Sequence, residues 1–162
     1  MHSNIVLCVD DDSTVLAALR IVLGKILGSE VIVEIASSGK EALLLCAELE
    51  AEGREVSVVV SDFLMPQMRG DELLVRIHQQ YPNTVNIMLT GQSDLEGVKR
   101  AINQANLYRF LEKPFNNADL VLTVRSALKS YNQHREQIEK IDTLQRRIAE
   151  LEAKLGVGVS DQ

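Results

Sequence analysis

The chain has 162 residues, of which 46% are hydrophobic and 25% charged, a composition typical of one packed domain with an appended segment. A net charge of −6 without a basic cluster argues against a surface that binds nucleic acid directly. We find no run of eighteen apolar residues and no charged-then-apolar leader, so we expect a cytoplasmic protein without membrane insertion.

Short apolar segments recur along the first 130 residues, and helical patterns separate them. A nearly continuous run of β-branched residues is typical of a strand that is buried on both faces of a parallel sheet. The predicted strands are Asn4 to Val9, Val31 to Ala36, Val56 to Val60, Val85 to Thr90 and Leu107 to Leu111.

The segments between these strands have apolar residues at helical spacing. Capping boxes, in which Ser is followed three residues later by Glu, predict where two of the helices begin. The boundary signals are Gly28 at the end of the first helix, Ser38 with Glu41 at the start of the second, Gly70 and Tyr81 around the third, and Ser93 with Glu96 at the start of the fourth. Alternation of strands and helices predicts an α/β fold with a parallel sheet covered on both faces.

The last predicted helix begins near Asn116 or Asn117 and meets no Gly or Pro before Gly156, so it is too long for the sheet to cover. Its distal half carries apolar residues at heptad spacing, which indicates a coiled coil. We therefore predict a domain over residues 1–130, a coiled-coil helix over 131–155 and a flexible tail over 156–162. The heptad residues are Ile141, Leu144, Ile148, Leu151 and Leu155.

The heptad pattern also predicts how the helix pairs. Isoleucine at a and leucine at d favours two parallel strands, and Arg147 at g faces Glu152 at e across such an interface. We expect a parallel homodimer through Ile138 to Leu155, with a three-residue stammer near Ile141. The alternative is a solvated helix that folds back on its own domain.

Polar residues follow the ends of the predicted strands. Asp10 and Asp11 follow the first, Asp62 the third, Thr90 ends the fourth and Lys113 follows the fifth. The carboxyl ends of parallel strands share one edge of the sheet, so these side chains are expected to converge. Three close carboxylates need compensation, for which Mg²⁺ with oxygen ligands is suited.

Four motifs carry a resemblance to a known family: VDDD after the first strand, SDFLMP around Asp62, LTG at Thr90 and FLEKPF around Lys113. With them, the chain resembles a response-regulator receiver domain of two-component signalling, of the CheY-like superfamily. The resemblance implies a flavodoxin-like, doubly wound sheet with strand order 2-1-3-4-5, here with the last helix extended into a coiled coil.

The resemblance also implies roles for individual residues. Asp62 would accept a phosphoryl group from a sensor histidine kinase or a phosphotransfer protein. Lys113 would pair with the phosphoryl oxygens, and Thr90 with Phe110 would form the switch. The implied Mg²⁺ ligands are Asp10, Asp11, Asp62 and the backbone carbonyl of Leu64.

Such a domain is a phosphoacceptor with Mg²⁺-dependent self-phosphorylation and self-dephosphorylation, and not an enzyme with its own substrate. No recognisable output domain follows Lys113. Arg69 departs from the family pattern, because an acidic or small polar residue often precedes the glycine at that place.

Two alternatives stay open. Asp10, Asp12 and Thr14 are similar to the opening motif of haloacid-dehalogenase-type phosphatases, in which Asp10 would be the nucleophile and Asp12 the acid/base. Those enzymes need a further acidic pair at a strand end after the lysine, whereas the next acidic residue here, Asp119, falls within a predicted helix. The second alternative is a dimerisation module that is not phosphorylated.

Overall fold

The structure, a computed structural model, describes residues 3–156. Five strands alternate with five helices in this part of the chain. The strands are β1 Asn4–Val9, β2 Val31–Ala36, β3 Val58–Asp62, β4 Val85–Thr90 and β5 Arg109–Glu112. The helices are α1 Ser13–Leu27, α2 Gly39–Ala51, α3 Gly70–Gln80, α4 Leu95–Gln104 and α5 Asn117–Leu155.

All strands are parallel and form one sheet in the order β2-β1-β3-β4-β5, so the predicted flavodoxin-like fold is confirmed. The core lies in two apolar layers, one on each face of the sheet. One layer includes Leu73, Leu74 and Met88, and the other includes Leu23 and Leu120. Because both faces are covered, the central strands contain nearly continuous apolar residues.

Two predicted strands differ from the structure at their ends. The third runs from Val58 to Asp62 and not from Val56 to Val60, and the fifth runs from Arg109 to Glu112 and not from Leu107 to Leu111. Pairing with the neighbouring strands sets these limits. Val58 begins β3 because it pairs with Val6 and Val85, and β5 pairs with β4 only from Arg109 to Glu112. Asp62 is therefore the last residue of the central strand instead of following it.

The two predicted capping boxes have different outcomes. The Ser38 side chain accepts a hydrogen bond from the Glu41 N–H as predicted, while the Glu41 carboxylate accepts from the Ser37 N–H. The box at Ser93 is wrong, because α4 begins after Asp94. The Asp94 carboxylate accepts from the Gly91 N–H at 2.6 Å, so it closes the preceding turn and does not cap the helix.

Helix α5 begins where Asn116 accepts a hydrogen bond from the Asp119 N–H, and it ends at Leu155. The chain forms two compact units, of which the first ends at Tyr131 and the second begins at Asn132. In the first unit one face of α5 is buried, with the apolar residues Leu120, Val121, Val124, Ala127, Leu128 and Tyr131, whereas Leu122 is exposed. In the second unit the predicted heptad residues are exposed.

The assignment of residues 1–130, 131–155 and 156–162 to receiver, coiled coil and flexible tail stays a prediction, and residues 157–162 lie outside the described part. None of the helices in residues 3–156 is both long enough and apolar enough to cross a membrane.

Gly70 is required where α3 begins against the end of β3. A Cβ atom built at this residue would lie 2.2 Å from the backbone oxygen of Asp62, well inside contact distance. By contrast, a Cβ atom at Gly24, within α1, meets no atom of the described residues within 4 Å apart from the adjoining backbone of its own helix.

We predict that Gly70→Ala lowers the free energy of unfolding by about 2 kcal/mol, because the backbone around Asp62 must move. The control Gly24→Ala raises it by up to about 1 kcal/mol, since alanine is the better helix former. Urea denaturation followed by circular dichroism measures both changes. Equal stability of Gly70→Ala and the unsubstituted protein would contradict the close packing described here.

Candidate functional site

Asp62 is the centre of the site, at the carboxyl end of the central strand. All five residues of β3 are buried, and Asp62 is only 7% exposed. The neighbouring strands end at the same edge, since Ser61 pairs with Val9 and Asp62 pairs with Leu89. Register alone therefore brings the residues that end or follow β1 and β4 beside Asp62.

Three carboxylates meet at this edge, as the sequence predicts. Oxygen atoms of Asp10, Asp11 and Asp62 all lie within 4.8 Å of one another. Asp10 is 2% exposed, and its Oδ1 accepts a hydrogen bond of 2.9 Å from the Asp12 N–H. Within residues 3–156, its buried Oδ2 has no hydrogen-bond partner.

Burial raises the pKa of Asp10 above the ordinary value of 3.8, and the negative charges of Asp62 and Asp11 raise it further. The hydrogen bond from the Asp12 N–H and the charge of Lys113 act in the opposite direction but do not cancel the effect. The site therefore carries more negative than positive charge, and Asp10 within it is shielded from water.

Lys113 provides the positive charge. Its Nζ lies 2.7 Å from Asp62 Oδ1, and its backbone N–H donates a hydrogen bond of 2.8 Å to the Thr90 carbonyl oxygen. That backbone bond continues the pairing of β4 with β5 and fixes where the lysine leaves the sheet. The peptide bond between Lys113 and Pro114 is cis.

The remaining predicted residues occupy different environments. Thr90 ends β4 and is buried, whereas Phe110 in β5 pairs with Met88 and has a side chain that is 46% exposed. Leu64 lies in the loop after β3 with an exposed side chain. The structure thus brings the carboxylates and the lysine together, and it holds the Phe110 side chain at the surface.

Asp12 has a structural role in this arrangement. Its Oδ1 accepts hydrogen bonds from the N–H groups of Thr14 and Val15, so it caps helix α1. An N-terminal cap of this kind stabilises a helix by about 1 kcal/mol. The capping bonds explain Asp12 without a catalytic role, which weakens the comparison with the phosphatase motif.

A second cluster adjoins the site and was not singled out in the sequence. The Asp71 carboxylate is fully buried and receives two hydrogen bonds from Arg69, at 3.2 and 3.0 Å. Arg69 also stacks on the Phe63 ring, with 5.2 Å between the guanidinium carbon and the ring centroid. No sequence signal identifies Asp71, because an acidic residue in the first turn of a helix is ordinarily solvated.

The residues at the sheet edge fit a divalent cation. Three converging carboxylates face one lysine, and Asp10 Oδ2, which has no hydrogen-bond partner among the described residues, is a buried acceptor that a hard cation would satisfy. Mg²⁺ in proteins is held by one or two carboxylates together with other oxygen ligands. The donor set is therefore suited to Mg²⁺.

Comparison with known sequences identifies the class. Residues 6–125 match the family described as Response regulator receiver domain, so the chain belongs to that family. Family membership supports the receiver role in a phosphorelay and does not favour the phosphatase alternative. The family is not a class of enzymes as such.

The relatives include two transcriptional regulators. The chain is 33% identical over 125 residues to the hydrogenase transcriptional regulatory protein HoxA of Cupriavidus necator, covering 77% of this chain and 24% of HoxA. It is 31% identical over 136 residues to the DNA-binding transcriptional regulator NtrC of Salmonella typhimurium, covering 84% of this chain and 27% of NtrC. The match thus spans about a quarter of each relative's length.

Among solved structures, the fold is similar to the signal receiver domain of an HD domain-containing protein from Pseudomonas fluorescens. The two chains superpose with a TM-score of 0.72 at 36% identity, over 84% of this chain and 94% of the other.

We predict that Asp10→Asn makes the metal-free protein more stable at pH 7. Because the pKa of Asp10 is raised in the folded state, the folded protein holds this proton more tightly, and stability falls as pH rises through and above the ordinary value of 3.8. The gain in stability from the substitution is therefore largest at neutral pH. It vanishes near pH 3, where the Asp10 carboxyl group is protonated and, like the asparagine amide, uncharged.

Urea denaturation in the presence of a chelator, repeated between pH 3 and 7, measures this difference. Asp11→Asn is the control, because that side chain is exposed and its replacement is expected to change stability by less than about 0.5 kcal/mol. A lower stability of Asp10→Asn at pH 7 than of the unsubstituted protein would show that Asp10 is not strained by burial.

Proposed function

We propose that Asp62 is the phosphoacceptor of this receiver domain and that a sensor histidine kinase or a phosphotransfer protein is the donor. One observation carries the proposal: a buried carboxylate at the end of the central strand lies 2.7 Å from Lys113 and beside two further carboxylates. This arrangement joins a nucleophile to groups that can neutralise a phosphoryl group.

In the proposed transfer, an oxygen of Asp62 attacks the phosphorus of a phosphohistidine. The new O–P bond forms as the P–N bond breaks, and the imidazole nitrogen keeps the electron pair. The product on this chain is a mixed anhydride of Asp62. Lys113 pairs with the phosphoryl oxygens, and Thr90 donates a hydrogen bond to one of them after transfer.

Mg²⁺ would be held by the carboxylates of Asp10, Asp11 and Asp62 and by the backbone carbonyl of Leu64. When bound, the ion supplies positive charge to the equatorial phosphoryl oxygens during transfer. Independently of the ion, Asp10 is one of the three carboxylates at this edge of the sheet. Its Oδ1 also accepts a hydrogen bond from the Asp12 N–H, which orders the turn that follows β1.

The same site would support self-phosphorylation from small donors such as acetyl phosphate, because the pocket and not the kinase provides the reacting groups. It would also support self-dephosphorylation, in which water attacks the phosphorus, the bond to the Asp62 oxygen breaks, Asp62 leaves as a carboxylate and inorganic phosphate is released. Both activities belong to the proposal and make the domain a phosphoacceptor.

The proposed switch consists of Thr90 and Phe110. A phosphoryl group on Asp62 adds charge beside Thr90, and the hydroxyl that turns towards it vacates space next to β5. The Phe110 side chain, now 46% exposed, would move inward into that space. The surface formed by α4, β5 and the adjoining part of α5 would then change.

We also propose that the chain is cytoplasmic and does not bind nucleic acid directly. The net charge of −6 supports the second statement. HoxA and NtrC are named as transcriptional regulators, but the chain spans about a quarter of each.

Incubation of the full chain with acetyl phosphate and a magnesium salt is expected to add one phosphoryl group, visible in the intact mass. Asp62→Asn is expected to abolish the addition, since an amide oxygen is a poor nucleophile for this transfer. Asp119→Asn is the matched control, because it removes an exposed carboxylate in the first turn of α5 and should label fully. Labelling of Asp62→Asn at the unsubstituted rate would refute the assignment.

We propose in addition that two copies pair as a parallel homodimer through Ile138 to Leu155. The heptad residues Ile141, Leu144, Ile148 and Leu151 are exposed on the single chain, as expected for the seam of a coiled coil. Asp142 and Arg146 form an ion pair of 2.7 Å at positions b and f, outside the seam, and support each helix separately.

Sedimentation of the full chain is expected to give a dimer, and Leu151→Glu, at position d, is expected to give a monomer. Ala153→Glu adds the same charge at position f and should leave the dimer intact. Cysteines introduced at Leu151 are expected to crosslink to each other, as in a parallel pair. A monomeric unsubstituted chain would contradict the proposed dimer. So would a cysteine at Leu151 that crosslinks only to a cysteine at an upstream site of the other chain, as in an antiparallel pair.

A further inference from the structure

The cluster beside the acidic site joins two segments to helix α4 by two separate contacts, one from the loop after β3 and one from the first turn of α3. The first contact is apolar and begins at Phe63, the residue after Asp62. A Cβ atom built at Gly97 would overlap the Phe63 ring, at 1.9 Å from one ring carbon, so the ring lies directly on the backbone of α4. The Phe63 backbone N–H donates a hydrogen bond of 2.9 Å to the Leu89 carbonyl oxygen, which fixes Phe63 to the neighbouring strand β4.

The second contact is ionic. The Asp71 carboxylate, with no exposed surface, lies 3.0 Å from the Arg69 guanidinium and 3.7 Å from that of Arg100 in α4. A buried carboxylate is stable only when such partners compensate its lost hydration. Arg100 follows Gly97 by three residues, so the ionic and the apolar contacts fall on the same face of α4.

Both contacts originate within the immediate surroundings of Asp62. The Gly70 N–H donates to the Phe63 carbonyl oxygen at 2.8 Å, and Gly70 packs on the Asp62 backbone. Arg69 and Asp71 flank Gly70 in the sequence, and Arg69 stacks on the Phe63 ring. Phe63 and Asp71 are therefore both tied to the backbone next to Asp62, so a shift of that backbone would reach both.

We propose that Asp71, held between Arg69 and Arg100, and the Phe63 ring on Gly97 form a coupling cluster by which the state of Asp62 sets the position and protection of α4. The inference rests on the proposed function, because it requires Asp62 to be phosphorylated. Arg100 is a positioning residue in this account, since it acts on α4 through Asp71. The route is separate from Thr90 and Phe110.

The test is amide hydrogen exchange of α4, Leu95–Gln104, in the full chain with and without acetyl phosphate and a magnesium salt. Intact mass reports labelling in the same samples. The variants are Arg100→Met, which removes the ionic contact at a side chain that is 42% exposed, and Arg100→Lys, which retains the charge. Arg76→Met is the matched control, because it breaks an ion pair of 3.0 Å with Glu72 on α3 alone.

In the unphosphorylated state, Arg100→Met is expected to exchange about fivefold faster in α4, the effect of losing one partly exposed ion pair. Phosphorylation is expected to change α4 exchange in the unsubstituted chain and in Arg76→Met to the same extent. In Arg100→Met the change is expected to be severalfold smaller, because only the route through Thr90 and Phe110 remains, although Asp62 is labelled in all of them. Arg100→Lys should restore part of the response. Arg69→Met, which removes the opposite side of the cluster, should behave as Arg100→Met does.

The ratio of exchange with and without the phosphoryl group separates coupling from a merely structural role. A structural role would speed exchange equally in both states and leave the ratio unchanged. Full labelling with an unsubstituted response in both Arg100→Met and Arg69→Met would overturn the inference alone. Full labelling with no response of α4 in the unsubstituted chain would overturn the inference and the proposed switch, and would leave Asp62 as the phosphoacceptor. Absence of labelling in the unsubstituted chain would overturn the proposed function, and the coupling with it.

Discussion

The repulsion among three carboxylates at one edge of the sheet is the constraint on which the account of this site depends. Parallel register fixes the ends of β1 and β3 side by side, so the backbone positions of Asp10, Asp11 and Asp62 stay adjacent as long as the strands are paired. Lys113 compensates one negative charge at 2.7 Å. The remaining negative charge, together with Asp10 Oδ2, which has no partner within residues 3–156, makes a site that a divalent cation would stabilise.

The fold places this acidic edge close to two surface elements, helix α4 and strand β5. Asp62 ends a strand whose neighbours carry Thr90 and, one strand further, Phe110. On the other side, Gly70 packs on the Asp62 backbone, and the adjoining Asp71 binds α4 through Arg100. The two routes that we propose both start at this carboxylate: one passes through the Thr90 hydroxyl and the Phe110 ring, and the other passes through the ion cluster to α4.

Most of the fold could be predicted because the buried strands are short β-branched runs and each turn to a helix carries a local signal. Strand ends were less predictable, since pairing with neighbours moved β3 to Val58–Asp62. The Ser93 box failed because Asp94 bonds to Gly91 instead. The acidic site followed from strand order. The burial of Asp71 did not, because Asp71 lies between Arg69 and Arg100, and the contact with Arg100 joins residues distant in sequence. The pairing of the distal α5 residues requires a second chain and stays a prediction.

The most direct test of the central claim is to identify the phosphorylated residue chemically. Borohydride reduces an acyl phosphate to an alcohol, so it converts a phosphorylated aspartate to homoserine and leaves free carboxylates unchanged. After reaction with acetyl phosphate and reduction, peptide mass spectrometry should find homoserine at position 62 and aspartate at positions 10 and 11. Homoserine at position 10 with intact Asp62 would contradict the account and favour the phosphatase alternative.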